Sequence, residues 1–74
     1  MKITLKALRV LYGLSQKEAA ELVGINERTW FNYENCKTKP PLDTIQKILA
    51  TFNVKYEDLS FKNHLELPNK QQEN

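Results

Sequence analysis

Apolar residues recur along this chain at helical spacing, in short blocks separated by turn-forming residues. Leu5, Leu8 and Tyr12 fall at i, i+3 and i+7, and predict a first helix over residues 3–12 that Gly13 ends. Ile3, Val10 and Leu11 lie off that stripe; wider core coverage is the expectation, and a partner contact the alternative. Ser15 and Glu18 have the S-x-x-E spacing of a capping box, so a second helix starts there, with Ala19, Ala20, Leu22 and Val23 on its apolar face. Gly24 supplies the left-handed residue that stops it. Asn26 is a good N-cap for a third helix from Glu27, with Trp30 and Tyr33 on one side and Glu27, Arg28, Phe31 and Asn32 on the other.

Pro40-Pro41 opens a fourth helix, whose stripe is Leu42, Ile45, Ile48, Leu49 and Phe52, and Asn53 can close it in the left-handed region. Tyr56 to Phe61 is read as a last short helix, with Leu59 and Phe61 facing inward, and no strand is expected over residues 3–61. Beyond it the chain is polar. The domain organisation read from this is a folded unit at 1–62 and a flexible tail at 63–74, where Leu65 and Leu67 alternate around Glu66 as a possible short arm.

Two helices joined by a tight glycine-containing turn make a helix-turn-helix, a unit that can place its second helix in a DNA groove. The stretch also resembles a known family, the phage-repressor-like (XRE, Cro/cI-type) helix-turn-helix proteins. The matching positions are Gln16, Ala20, Gly24-Ile25, an apolar residue at 30, Tyr33-Glu34-Asn35, Lys37 and Pro40, with LKALR at 5–9, Gly13 to Gln16, and Leu42 to Ile45 on the flanks. The likeness covers roughly residues 3–60. It implies an all-α, five-helix, lambda-repressor-like DNA-binding domain with the helix-turn-helix at helices 2 and 3.

The resemblance also implies that Arg9 and Glu34 meet as a structural ion pair, that Arg9 lies near the DNA side, and that the loop Lys37-Thr38-Lys39 clamps the phosphate backbone. This chain departs from the family pattern at three places. Trp30 stands where Ile or Val is usual, and Ala19, Ala20 and Gly24 are the small neighbours that make room. Cys36 stands where Gly is usual, so either the helix ends differently or Asn35 takes the left-handed position. Lys55 stands where Ser or Thr usually starts the last helix.

Base reading falls to the start of the third helix. Arg28 can bond guanine O6 and N7 together, Asn32 adenine N6 and N7, and Glu27 can accept from cytosine N4. Phe31 is suited to a thymine methyl or a partner, or else to the core if Trp30 rotates the helix. Gln16 at the first turn of its helix, with Asn26 and Asn35, is placed for phosphate contacts, the two asparagines also being helix caps.

Seventy-four residues make one small domain, with no apolar run long enough to cross a membrane and no signal-peptide core at the start. The single cysteine has no partner for an internal disulfide, which fits a reducing, cytoplasmic setting. His64 has no ligand cluster around it, so no metal and no other cofactor is expected. Residues 1–41 hold seven Lys and Arg against four Glu, and residues 42–74 four Lys against five acids, so the basic excess lies with the recognition unit.

The function expected is a sequence-specific regulator of transcription, a small phage- or prophage-type repressor that binds double-stranded DNA as a homodimer on a two-fold operator. The alternatives are an antitoxin whose tail folds on a toxin, and an interaction module that kept the fold and lost DNA binding. At this length no ligand-sensing second domain is expected, unless the sequence is a piece of a longer protein whose linker the tail begins. No nucleophile–base constellation supports an enzyme.

Overall fold

The computed structural model describes residues 2–61. The elements in order are β1 (Ile3–Thr4), α1 (Leu5–Leu11), α2 (Gln16–Val23), α3 (Glu27–Glu34), α4 (Leu42–Phe52), a 3-10 turn (Tyr56–Asp58) and β2 (Leu59–Ser60). The fold is mostly helical, as expected, but the five-helix count and the absence of strands are both corrected. Among the described residues there are four α-helices, and Ile3 and Thr4 pair in parallel with Leu59 and Ser60. Lys55 offers no side-chain cap, so the last segment makes only a three-residue turn. The chain then extends, which drops Leu59 into the core beside the first strand.

Local hydrogen bonds set most helix ends. The Thr4 hydroxyl accepts from the Ala7 N–H at 3.1 Å, which starts α1 two residues later than the apolar spacing predicts. The capping box at α2 is complete: the Glu18 N–H donates to Ser15 Oγ at 3.0 Å, and the Ser15 N–H to Glu18 Oε1 at 2.8 Å. Gly24 ends α2 at φ +86°, and Asn26 Oδ1 starts α3 by accepting from the Thr29 N–H at 2.7 Å. Asn53 closes α4 at φ +51°. Cys36 itself takes the left-handed conformation after α3, at φ +58°, and Asn35 does not, being at φ −95°.

Leu5, Leu8, Ala19, Ala20, Val23, Trp30, Ile48, Phe52 and Leu59 form the core, with Trp30 fully buried. Its ring centroid lies 6.2 Å from that of Phe52. A Cβ built on Gly24 would meet nothing within 4 Å, so this glycine serves the turn and does not make room for the tryptophan. Tyr12 is half-exposed, packing edge-on against Phe52 at 5.2 Å and donating its hydroxyl to the Phe52 carbonyl at 2.8 Å.

Four apolar residues expected inside are exposed: Val10, Leu11, Leu22 and Leu42. Each helical residue turns by about 100°, and all four sit roughly a quarter turn or more away from the centre of their helix's buried face. The stripe identifies an apolar surface, but the width actually covered depends on the neighbour. His64, Leu65, Leu67 and the rest of the tail lie outside the described residues.

Candidate nucleic-acid interface

The outer face of α3 is built by its register. With Trp30 facing the core, Glu27 and Arg28 are exposed, while Phe31 and Asn32 are half-buried on the flank. Phe31 is not a core residue. The Arg28 guanidinium lies 5.6 Å from its ring centre and the Lys37 ammonium 5.4 Å, so two cations lie over one aromatic ring. Gln16, at the first turn of α2, borders a cleft of about 280 Å³ with Glu27, Arg28 and Phe31. Four of the expected site residues are thereby adjacent, although Gln16 is eleven residues from the nearest of them.

Behind this face sits one carboxylate with four donors. Arg9 Nε donates to Glu34 Oε2 at 2.7 Å and Arg9 Nη2 to Oε1 at 3.1 Å, a two-pronged ion pair. Gln16 Nε2 donates to Oε1 at 3.0 Å, and Trp30 Nε1 to Oε2 at 2.7 Å. Burial pushes the Glu34 carboxyl up, but the bonds from Arg9, Gln16 and Trp30 together with the Arg9 charge outweigh it and hold it below the ordinary value. Arg9 also donates Nη1 to the Leu14 carbonyl at 2.8 Å, so its guanidinium is engaged inside the domain along its whole edge. The ion pair expected from the resemblance is present; the shared use of Glu34 by Gln16 and Trp30 was not foreseen. The only sequence signal for the Trp30 bond was the i, i+4 spacing.

The remaining expected residues are spread around this centre. Asn26 is exposed and its side-chain oxygen is used as the cap of α3. Asn35 is exposed and donates Nδ2 to the Phe31 carbonyl at 2.9 Å. Lys37, Thr38 and Lys39 are exposed, and the loop is anchored by the Lys37 N–H on the Asn32 carbonyl at 2.9 Å. At the α2 start, Glu18 has its carboxyl held below the ordinary value by the backbone and side-chain hydrogen bonds of Ser15, so it is a capping group with its charge locally satisfied.

The helix-turn-helix family pattern matches residues 5–59, the span that carries α1 to β2. The chain belongs to the XRE-type helix-turn-helix family. It is similar to an HTH-type transcriptional regulator of Methanocaldococcus jannaschii, 37% identical over 59 residues that cover 80% of this chain and 89% of that protein. An HTH-type transcriptional regulator of Archaeoglobus fulgidus is 36% identical over 59 residues, covering 80% and 84%. The HTH-type transcriptional regulator ImmR of Bacillus subtilis is 36% identical over 72 residues, which are 89% of this chain and 57% of ImmR. No solved structure matches the chain. In helix-turn-helix terms, α2 and α3 are the motif, and the Gln16–Glu34–Trp30 bonds tie its two helices to each other and, through Arg9, to α1. No helix among the described residues is long and apolar enough to cross a membrane.

Proposed function

We propose that this protein is a DNA-binding transcriptional regulator that reads sequence with α3, and that it is a small repressor of the phage or prophage type. The observation that carries this reading is the exposure of Arg28, with Asn32 half-buried on the flank one turn on, on a helix whose opposite side is pinned by the buried Glu34 cluster. A recognition helix must hold its orientation while its side chains meet base edges, and the cluster supplies that rigidity. The names of the relatives, all HTH-type transcriptional regulators, support the same reading.

In this reading Arg28 bonds a guanine, Asn32 an adenine, and Phe31 a thymine methyl, with Glu27 accepting from cytosine or repelling wrong bases. Gln16, Asn26, Asn35, Lys37, Thr38 and Lys39 face phosphates. One helix reads only a few base pairs, so two protomers act on a two-fold site with half-site centres about 34 Å apart, and occupancy blocks transcription. Selection of bound sequences from random duplex DNA at a stated salt concentration tests this. Enriched inverted half-sites at one-turn spacing are expected. Recovery of no sequence above background, with binding that does not change with salt, would sink it.

A further inference from the structure

A second cleft, of about 630 Å³, opens beside the loop after α3, and its composition is one-sided. Lys2, Lys37 and Lys39 line it with Thr38 and Ser60, and among the described residues no carboxylate does. Lys2 stands thirty-five residues before Lys37 in the chain. Two tertiary ties bring it there. The parallel pairing of Ile3 with Leu59 holds the start of the chain against β2. The Cys36 thiol donates to the Phe61 carbonyl at 2.7 Å, which holds the end of β2 against the loop. Three ammonium groups around one opening raise the local potential, and among the described residues none of them is in an ion pair. An anion in the cleft would relieve that repulsion.

The neighbourhood says which anion. Lys37 lines this cleft and also lies over Phe31, which lines the smaller cleft with Arg28. The two clefts are therefore successive parts of one surface that runs from the face of α3 to the first residues of the chain. We propose that Lys2 joins Lys37 and Lys39 in binding the phosphate backbone of duplex DNA, as a contact supplied by the N-terminal segment through the β1–β2 pair. The proposal rests on the DNA-binding reading given above. Lys2 adds charge and register and reads no base.

The test measures affinity of the full chain for a short random-sequence duplex across a salt series, for wild type, Lys2→Ala, Lys37→Ala and Lys2→Arg. Lys2→Ala is expected to lower the slope of log K against log salt by about 0.9 per bound protomer, as Lys37→Ala does, and Lys2→Arg to keep the wild-type slope. The thermal midpoint and the selected consensus sequence should both stay unchanged in Lys2→Ala. If Lys37→Ala lowers the slope and Lys2→Ala does not, Lys2 makes no phosphate contact and the proposal fails while DNA binding stands. If Lys2→Ala changes the selected consensus, Lys2 reads bases and the proposal is wrong in kind. If the wild type itself shows no salt dependence, the DNA-binding reading falls and this site falls with it.

Discussion

Trp30 and Glu34, one turn apart on α3, are joined by a hydrogen bond of 2.7 Å from the indole N–H to the carboxylate. The indole fills the core while its one polar atom finds a partner, which is the condition for burying a tryptophan without loss. The carboxylate is in turn shared with Arg9 on α1 and Gln16 on α2, so a single acidic group ties three helices together.

Trp30→Phe keeps most of the apolar volume and removes the donor. It is expected to destabilise the domain by about 1–3 kcal/mol, because a charged, buried acceptor loses a bond. Trp30→Ala should cost roughly 3–5 kcal/mol through the cavity it leaves. Urea unfolding of both variants checks this. A Phe variant within about 0.5 kcal/mol of wild type would mean that the N–H contributes nothing.

The Arg9–Glu34 pair has side chains only 14% and 3% exposed, so solvent screens it less than a surface pair. Arg9→Ala and Glu34→Ala should each destabilise, and the double variant should cost less than their sum. The expected coupling is on the order of 1–3 kcal/mol. A cycle that closes near zero would show that the pair holds geometry without contributing stability.

Acid should weaken the domain through Glu34. Its folded-state carboxyl lies below the ordinary value of 4.5, so its contribution is fully present above that value and is lost as pH falls through the folded one. Denaturant unfolding at stepped pH should show wild-type stability falling below about pH 4.5. Glu34→Gln should be less stable at neutral pH and show a flatter acid limb. Equal slopes in the two proteins would place the acid sensitivity elsewhere.

Arg28 and Lys37 should separate base reading from phosphate contact. Arg28→Ala is expected to cost on the order of 1–3 kcal/mol per half-site and to relax preference at one base pair. Lys37→Ala should weaken all sequences alike. Both side chains are exposed, so neither change should move the unfolding midpoint measurably. Competition binding with the selected site and its single-base variants distinguishes the two. Unchanged base preference in Arg28→Ala would mean that α3 docks differently.

Several features of the helix-turn-helix were readable in the chain itself. The capping box of Ser15 and Glu18, the turn at Gly24, the cap at Asn26 and the left-handed close at Asn53 all appear where residue type places them. Each involves atoms within a few residues of one another, so backbone geometry and side-chain chemistry alone determine it. The outward side of α3 followed from helical spacing after the Asn26 cap, and Arg9 with Glu34 from matching a known pattern position by position.

The tertiary structure decided what depends on distant partners. Periodicity marks Leu22 and Leu42 as apolar, but no neighbour among the described residues covers them, whereas Trp30 gained both a core and a hydrogen-bond acceptor. Cys36 adopts φ +58° despite its Cβ, with its loop anchored on Asn32 and its thiol bonded to Phe61. The last segment became a short turn and a strand because Leu59 reaches the core in extended form and Ile3 offers a free edge. The same pairing sets Lys2 beside Lys37 and Lys39. Local spacing carries no information about contacts between residues more than fifty positions apart, since only the packed chain brings their backbones within bonding distance.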